Sequence, residues 1–147
     1  MTSEDQLIDY IRRTGTRDHV DRPGLEQQIE AIFQELGLAW SKRPDGNWVI
    51  QADIGEVLAG LNDTADILSF WQVINQLSGK PKQHADLLWG LLSLNGASNG
   101  AYFALHPPDS GGAPLLIIMA RLAAERLDAG EVAQTLASLF GLSKACE

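Results

Sequence analysis

The stretch Leu87–His106, LLWGLLSLNGASNGAYFALH, carries a solid apolar run, a small loop enclosed by two Asn-Gly pairs, and an aromatic run. Glycine loops beside apolar segments often hold phosphate. Such a loop runs strand, glycines, helix, so that the first amides of the helix face the anion. Here the order is reversed. The apolar run reads as a helix near 82–95 and AYFALH as a strand, so the loop meets the partially negative carboxyl end of the helix. No Gly-Lys-Ser/Thr ending is present. Asn95-Gly96 suits a left-handed helix stop and Asn99-Gly100 a turn into the strand. NGASNG is a joint, and the chain is to be read as a binding module.

The helix before the joint carries too much oil. At 100° per residue, Leu94, Leu87, Leu91, Leu88, Leu92, Ala85 and Trp89 span an arc of about 220°. A helix lying on a sheet hides an arc nearer ~100–140°. With Leu87, Leu91 and Leu94 towards a core, Ala85, Trp89 and Leu92 are left over. An unclaimed Trp–Leu patch marks a contact surface. Two covers are open at this point. One is a second copy across a two-fold axis. The other is an element of the same chain, such as an N-terminal helix.

Working outward, Ser3 with Gln6 forms a capping-box pattern ahead of Leu7, Ile8 and Ile11, which predicts a helix over 3–14. The polar stretch 15–24 is a linker. Leu25, Ile29, Ile32, Phe33 and Leu36 share one face of a helix over 22–36, ended by Gly37. The period then changes. Strands are predicted near 38–43 and 47–54 around the RPDGN turn, with a third near 65–76 rich in aromatic and β-branched residues. A helix is the rival reading for that third segment. GEVLAGLND between them is ambiguous. After the helix at 82–95 come the strands AYFALH and PLLIIMARLA. Asp128 and Glu131 then open a last helix that Gly141 closes. The order α-α-β-β-β-α-β-β-α with short connections predicts an α+β fold, an antiparallel sheet with helices packed on it. One domain is expected for 1–147, with 1–21 appended to a core of 22–143.

Composition narrows the function. The chain has 147 residues, 45% of them apolar, and a net charge of −8 from 19 acids against 11 bases. Arg12-Arg13, Lys42-Arg43 and Lys80/Lys82 are small and scattered, so direct nucleic-acid binding is not expected. An acidic surface favours encounter with a basic protein. Cys146 is the single cysteine, and the N-terminal stretch is acidic and lacks an apolar core. A cytoplasmic, reducing location is therefore expected. The longest apolar run, APLLIIMARLAA, is interrupted by Arg121 and is too short to cross a bilayer.

Chemistry-bearing clusters are missing. His19, His84 and His106 stand apart from one another and from Cys146, without metal-ligand spacing, so no metal or cofactor is expected. His106, Asp109 and Ser110 lie close in HPPDSGG, but adjacent turn residues do not converge from a rigid frame as a catalytic triad must. The pair Asp63/Asp66 brackets a loop, and Asp128/Glu131 is explained by capping. No enzyme is expected. The alternatives are a small enzyme, or a ligand or nucleic-acid sensor, with a pocket between sheet and helices.

Several segments resemble a known family. LLSLN at the end of the middle helix, GAYFAL opening the next strand, PLLIIMARL and LDAGEVAQTL are similar to their counterparts in YbjN-like proteins. These share the fold of the type III secretion chaperones. The resemblance covers about 22–143, and the helix at 3–14 adds to the usual plan. It implies a non-enzymatic, chaperone-like adaptor that dimerises through the middle helix and binds a protein client. It also implies that the client is held extended along apolar patches and sheet edges.

Overall fold

The strand LLIIMARLA, Leu115–Ala123, shows how the molecule is layered. Leu115 to Ala120 are all buried, with no alternation. A strand reads this way when both faces of its sheet are covered. Its even-numbered side chains Leu116, Ile118, Ala120 and Leu122 join the main core, while Leu115, Ile117 and Met119 join a second apolar cluster on the opposite face.

The computed structural model describes residues 3–13, 21–77, 84–97, 100–106 and 113–145. Helices α1 (Ser3–Arg13) and α2 (Arg22–Glu35) lead into strands β1 (Ala39–Lys42), β2 (Trp48–Ala52), β3 (Gly55–Leu61) and β4 (Ile67–Gln76). Helix α3 (Ala85–Ala97), strands β5 (Ala101–His106) and β6 (Leu115–Ala123), a single 3₁₀ turn and helix α4 (Ala129–Ala145) complete the order. The six strands form one sheet in the order β1-β2-β3-β4-β6-β5, with every neighbouring pair antiparallel. The class is α+β, as the sequence predicts, and the fold has four helices among the described residues.

Three expectations are corrected in detail. The ambiguous GEVLAGL is a strand, which raises the count from five to six. Two glycines, an alanine and a glutamate give it weak β-propensity, but it lies between β2 and β4 and both of its edges are paired. Gly60 is needed there, since a Cβ would collide with the Asn47 side chain and crowd Trp71. The last helix passes through Gly141 to Ala145, because Leu142 and Ser143 are still buried and the Ser143 hydroxyl donates to Gln72 Oε1 on β4 at 3.0 Å. Helix α3 likewise passes Gly96 to Ala97. Residues 98–99 and 107–112, expected from the sequence to be a joint and a turn, lie outside the described residues, as do His19, Asp109, Ser110 and Cys146.

The main core lies between the sheet and helices α2, α3 and α4. Phe33 of α2 is fully buried, with ring centroids of Trp40, Trp48 and Phe70 at 6.2, 5.9 and 6.3 Å. The start of α2 is fixed twice. Asp21 caps it by accepting from the Gly24 amide, and Arg22 donates to the Asn62 carbonyl in the β3–β4 turn. Asn62 is itself fully buried, and its amide oxygen accepts from the backbone of Asp66 and Ile67.

Strand β1 is pinned to α2 by charge. Lys42 Nζ lies 3.0 Å from Glu26 and 3.6 Å from Glu30, over the ring of Trp48, whose indole N–H donates to Glu30. The hydrogen bond with Glu26, followed by attraction from Glu26 and Glu30, raises the Lys42 pKa above its ordinary 10.5, with burial opposing. The charged form is favoured in the folded state, so its stabilisation is present below the ordinary lysine value. It is lost as pH rises through the raised one. The difference in melting temperature between the native protein and Lys42→Met is expected to be present at about pH 9 and to shrink at a pH above the ordinary lysine value of 10.5. Thermal unfolding at both pH values checks this.

Candidate functional site

Helix α3 is apolar because of leucine, the side chain that best combines helix propensity with burial. Leu91 is buried, and Leu88 and Leu94 pack against the main core beside Phe103 and Leu116. Leu87, expected to face the core, is instead 44% exposed. The helix is turned by roughly 40° from the expected orientation, taking 100° per residue. Asn95 explains the turn. Its side-chain amide donates to the Phe103 carbonyl at 2.9 Å and accepts from the Phe103 N–H, so Asn95 faces inward with the leucines.

β5 is an edge strand. The Asn95 amide therefore stands where the peptide group of a seventh strand would pair, and it blocks the middle of that edge. Extended client pairing along β5, which the resemblance implies, meets this obstacle. The other edge strand, β1, is four residues long and is held at Lys42. By sequence alone Asn95 reads as a helix stop. The available signal was its place on the helical wheel, among the inward leucines.

Asn95→Ala removes both bonds and leaves the Phe103 groups without that partner. A destabilisation of about 1–3 kcal/mol is expected, with faster hydrogen exchange confined to β5. Urea unfolding and amide exchange together check it.

The outer face of α3 holds all three residues singled out from sequence. Ala85 is exposed, Trp89 is 77% exposed and Leu92 is 65% exposed. With Gly96, also exposed, they form a stripe at spacings of four, three and four, one ridge of a helix. Neither Gly90 nor Gly96 has an atom within contact of a built Cβ, so the stripe is unobstructed. Helix α1 does not cover it: α1 lies on the opposite face of the sheet, where Leu7, Ile8 and Ile11 pack on Trp71, Leu115, Ile117 and Met119. The strand tryptophans turn inward or are half-buried, leaving Trp89 as the exposed one.

Four of the groups considered for catalysis, Asp66, His106, Asp128 and Glu131, have structural partners. Asp66 accepts from Asn62 and from the Thr64 hydroxyl inside the β3–β4 turn. Asp128 caps α4 by accepting from the Glu131 amide at 2.7 Å, and Glu131 pairs with Arg126. His106 packs on Tyr10 with ring centroids 5.8 Å apart. Among the described residues no three His, Cys, Asp or Glu side chains are placed to hold a metal, and no helix is long and apolar enough to cross a membrane. A cleft of about 220 Å³ between α3 and β5 is lined by Leu88, Leu91, Leu92, Phe103 and Leu105, with Asn95 as its polar group.

This sheet, with its crossover helix over an edge strand, has close counterparts among solved structures. YbjN from E. coli superposes with a TM-score of 0.62 at 14% identity, over 81% of this chain and 86% of its own. The Yersinia pestis type III secretion chaperone SycH, solved with a stable fragment of YscM2, gives 0.58 at 19% identity over 84% and 99%. The fold is that of YbjN and the type III secretion chaperones. SchA, solved as the HopA1–SchA chaperone–effector complex, gives 0.58 at 17% identity over 86% and 97%. No family profile and no curated relative matches the sequence. Within this chaperone fold, α3 is the helix that joins β4 to β5.

Proposed function

We propose that this protein is a non-enzymatic, chaperone-like adaptor that forms a homodimer through the outer face of α3 and binds a protein client. The observation that carries the reading is Trp89. A tryptophan that is 77% exposed beside a 65% exposed leucine, on the helix face turned away from the core, is surface built to be covered. A two-fold axis across the Ala85–Trp89–Leu92 ridge covers it twice with one patch.

Support for the client comes from the solved relatives of the fold, SycH and SchA, each seen with a partner protein. The net charge of −8 favours a basic client, including one that itself handles nucleic acid. The single cysteine fits a reducing, cytoplasmic setting.

Light scattering coupled to size exclusion tests the dimer. The expected mass at micromolar concentration is twice the 16.0 kDa of the chain. A single-chain mass at that concentration removes the α3 interface from the proposal.

A further inference from the structure

Helix α1 covers the face of the sheet that the other helices leave open. It does so with three buried side chains, Leu7, Ile8 and Ile11, seated on Trp71, Ile117 and Met119. The seat is larger than its occupant. Beside α1 a cleft of about 390 Å³ continues over Tyr102, Ala104 and Leu105 towards the end of β5, with Arg121 at its rim. Tyr10 borders this cleft and remains 54% exposed. An 11-residue helix is too short to persist alone in water. Helix α2 begins nine residues after it.

We infer that the sheet face beneath α1 is the docking surface for an amphipathic helix of the client, and that α1 is its resident stand-in. The inference rests on the client-binding reading above and names the site. Three observations fix the chemistry of the occupant. The seat already accepts a helix rather than a strand. Its floor is apolar and partly aromatic, from Trp71, Met119 and Tyr102. The unfilled space beside α1 favours an occupant with bulkier apolar side chains than two isoleucines and a leucine. A tethered helix competes at an effective concentration of about millimolar, so it excludes weak ligands and yields to a client with a better-filling face.

The test uses a fluorescent synthetic peptide with the sequence Ser3–Arg13, the full-length protein, and its Leu7→Asp/Ile11→Asp variant. The variant is expected to unfold cooperatively and to bind the peptide at least about 30-fold more tightly than the native chain, whose own α1 competes. A peptide carrying the same two aspartates should bind neither. A folded variant that ignores the native peptide overturns the inference. So does a variant that falls from dimer to monomer, because the occupant is then the α1 of a second copy. Hydrogen exchange on the native protein decides the matter if the variant does not fold. Amides of α1 are expected to exchange at least about 100-fold faster than those of β4 and β6; equal protection makes α1 an integral part of the core. A dimer that refuses the peptide leaves the α3 interface standing, and a monomer that takes it leaves the groove standing.

Discussion

Trp89→Glu is expected to turn the dimer into a monomer while leaving the fold of each chain unchanged. An interfacial tryptophan near the centre of a contact commonly contributes about 2–4 kcal/mol, and the proposed two-fold axis would place it in the interface twice. A weakening of at least ~30- to 1000-fold in the dimer constant follows. The carboxylate would also face its own symmetry mate, which adds repulsion. Within one chain Trp89 is 77% exposed, so far-UV circular dichroism should not change. Sedimentation equilibrium of native and variant protein measures the shift. A variant that keeps the dimer mass would show that the contact uses another surface. Leu92→Asp should act in the same direction, and Ser93→Ala, on the flank of the ridge, should not.

The largest effect on stability is expected at Phe33. Phe33→Ala empties the centre of the aromatic cluster where Trp40, Trp48 and Phe70 meet α2. Removal of a fully buried phenylalanine costs about 3–5 kcal/mol, the transfer of the ring plus the cavity it leaves. For a chain of this size the melting temperature should fall by about 10 °C or more. The loss should be visible near 280 nm in the circular dichroism of the neighbouring tryptophans before unfolding. A fall of only a degree or two would mean that α2 is not the helix that closes the main core.

Much of the fold was legible because its signals are local. The helical face of Leu25, Ile29, Ile32 and Phe33, the RPDGN turn, and the Asp128–Glu131 cap each lie within a few residues and each formed as read. β3 was not legible. Its strand character comes from neighbours on both sides, and Gly60 is there to make room for Asn47 and Trp71, which a propensity argument counts against a strand. The stops expected at Gly96 and Gly141 failed for a related reason. Glycine permits a helix to end, but buried residues beyond Gly141 give it reason to continue.

The candidate ridge was visible in sequence because an arc of ~220° exceeds what one sheet can cover. Its exact bearing was not visible. Leucines at Leu87, Leu88, Leu91 and Leu94 are interchangeable to a periodicity argument, and the choice among them is made by Asn95, a polar residue gripping a strand eight positions later. That α1 would sit on the far side of the sheet, rather than over Trp89, depended on tertiary packing beyond any single helical wheel.

The grip of Asn95 on Phe103 also limits what can add to the β5 edge of the sheet. An open β5 would act as a template, and any extended polypeptide drifting past, including a sister molecule, could add itself rung by rung into ever longer ribbons. One amide forbids that growth at its first step. On the proposed client-binding reading, capture beside β5 would proceed through the shape of side chains, which differ from guest to guest, instead of the backbone they all share.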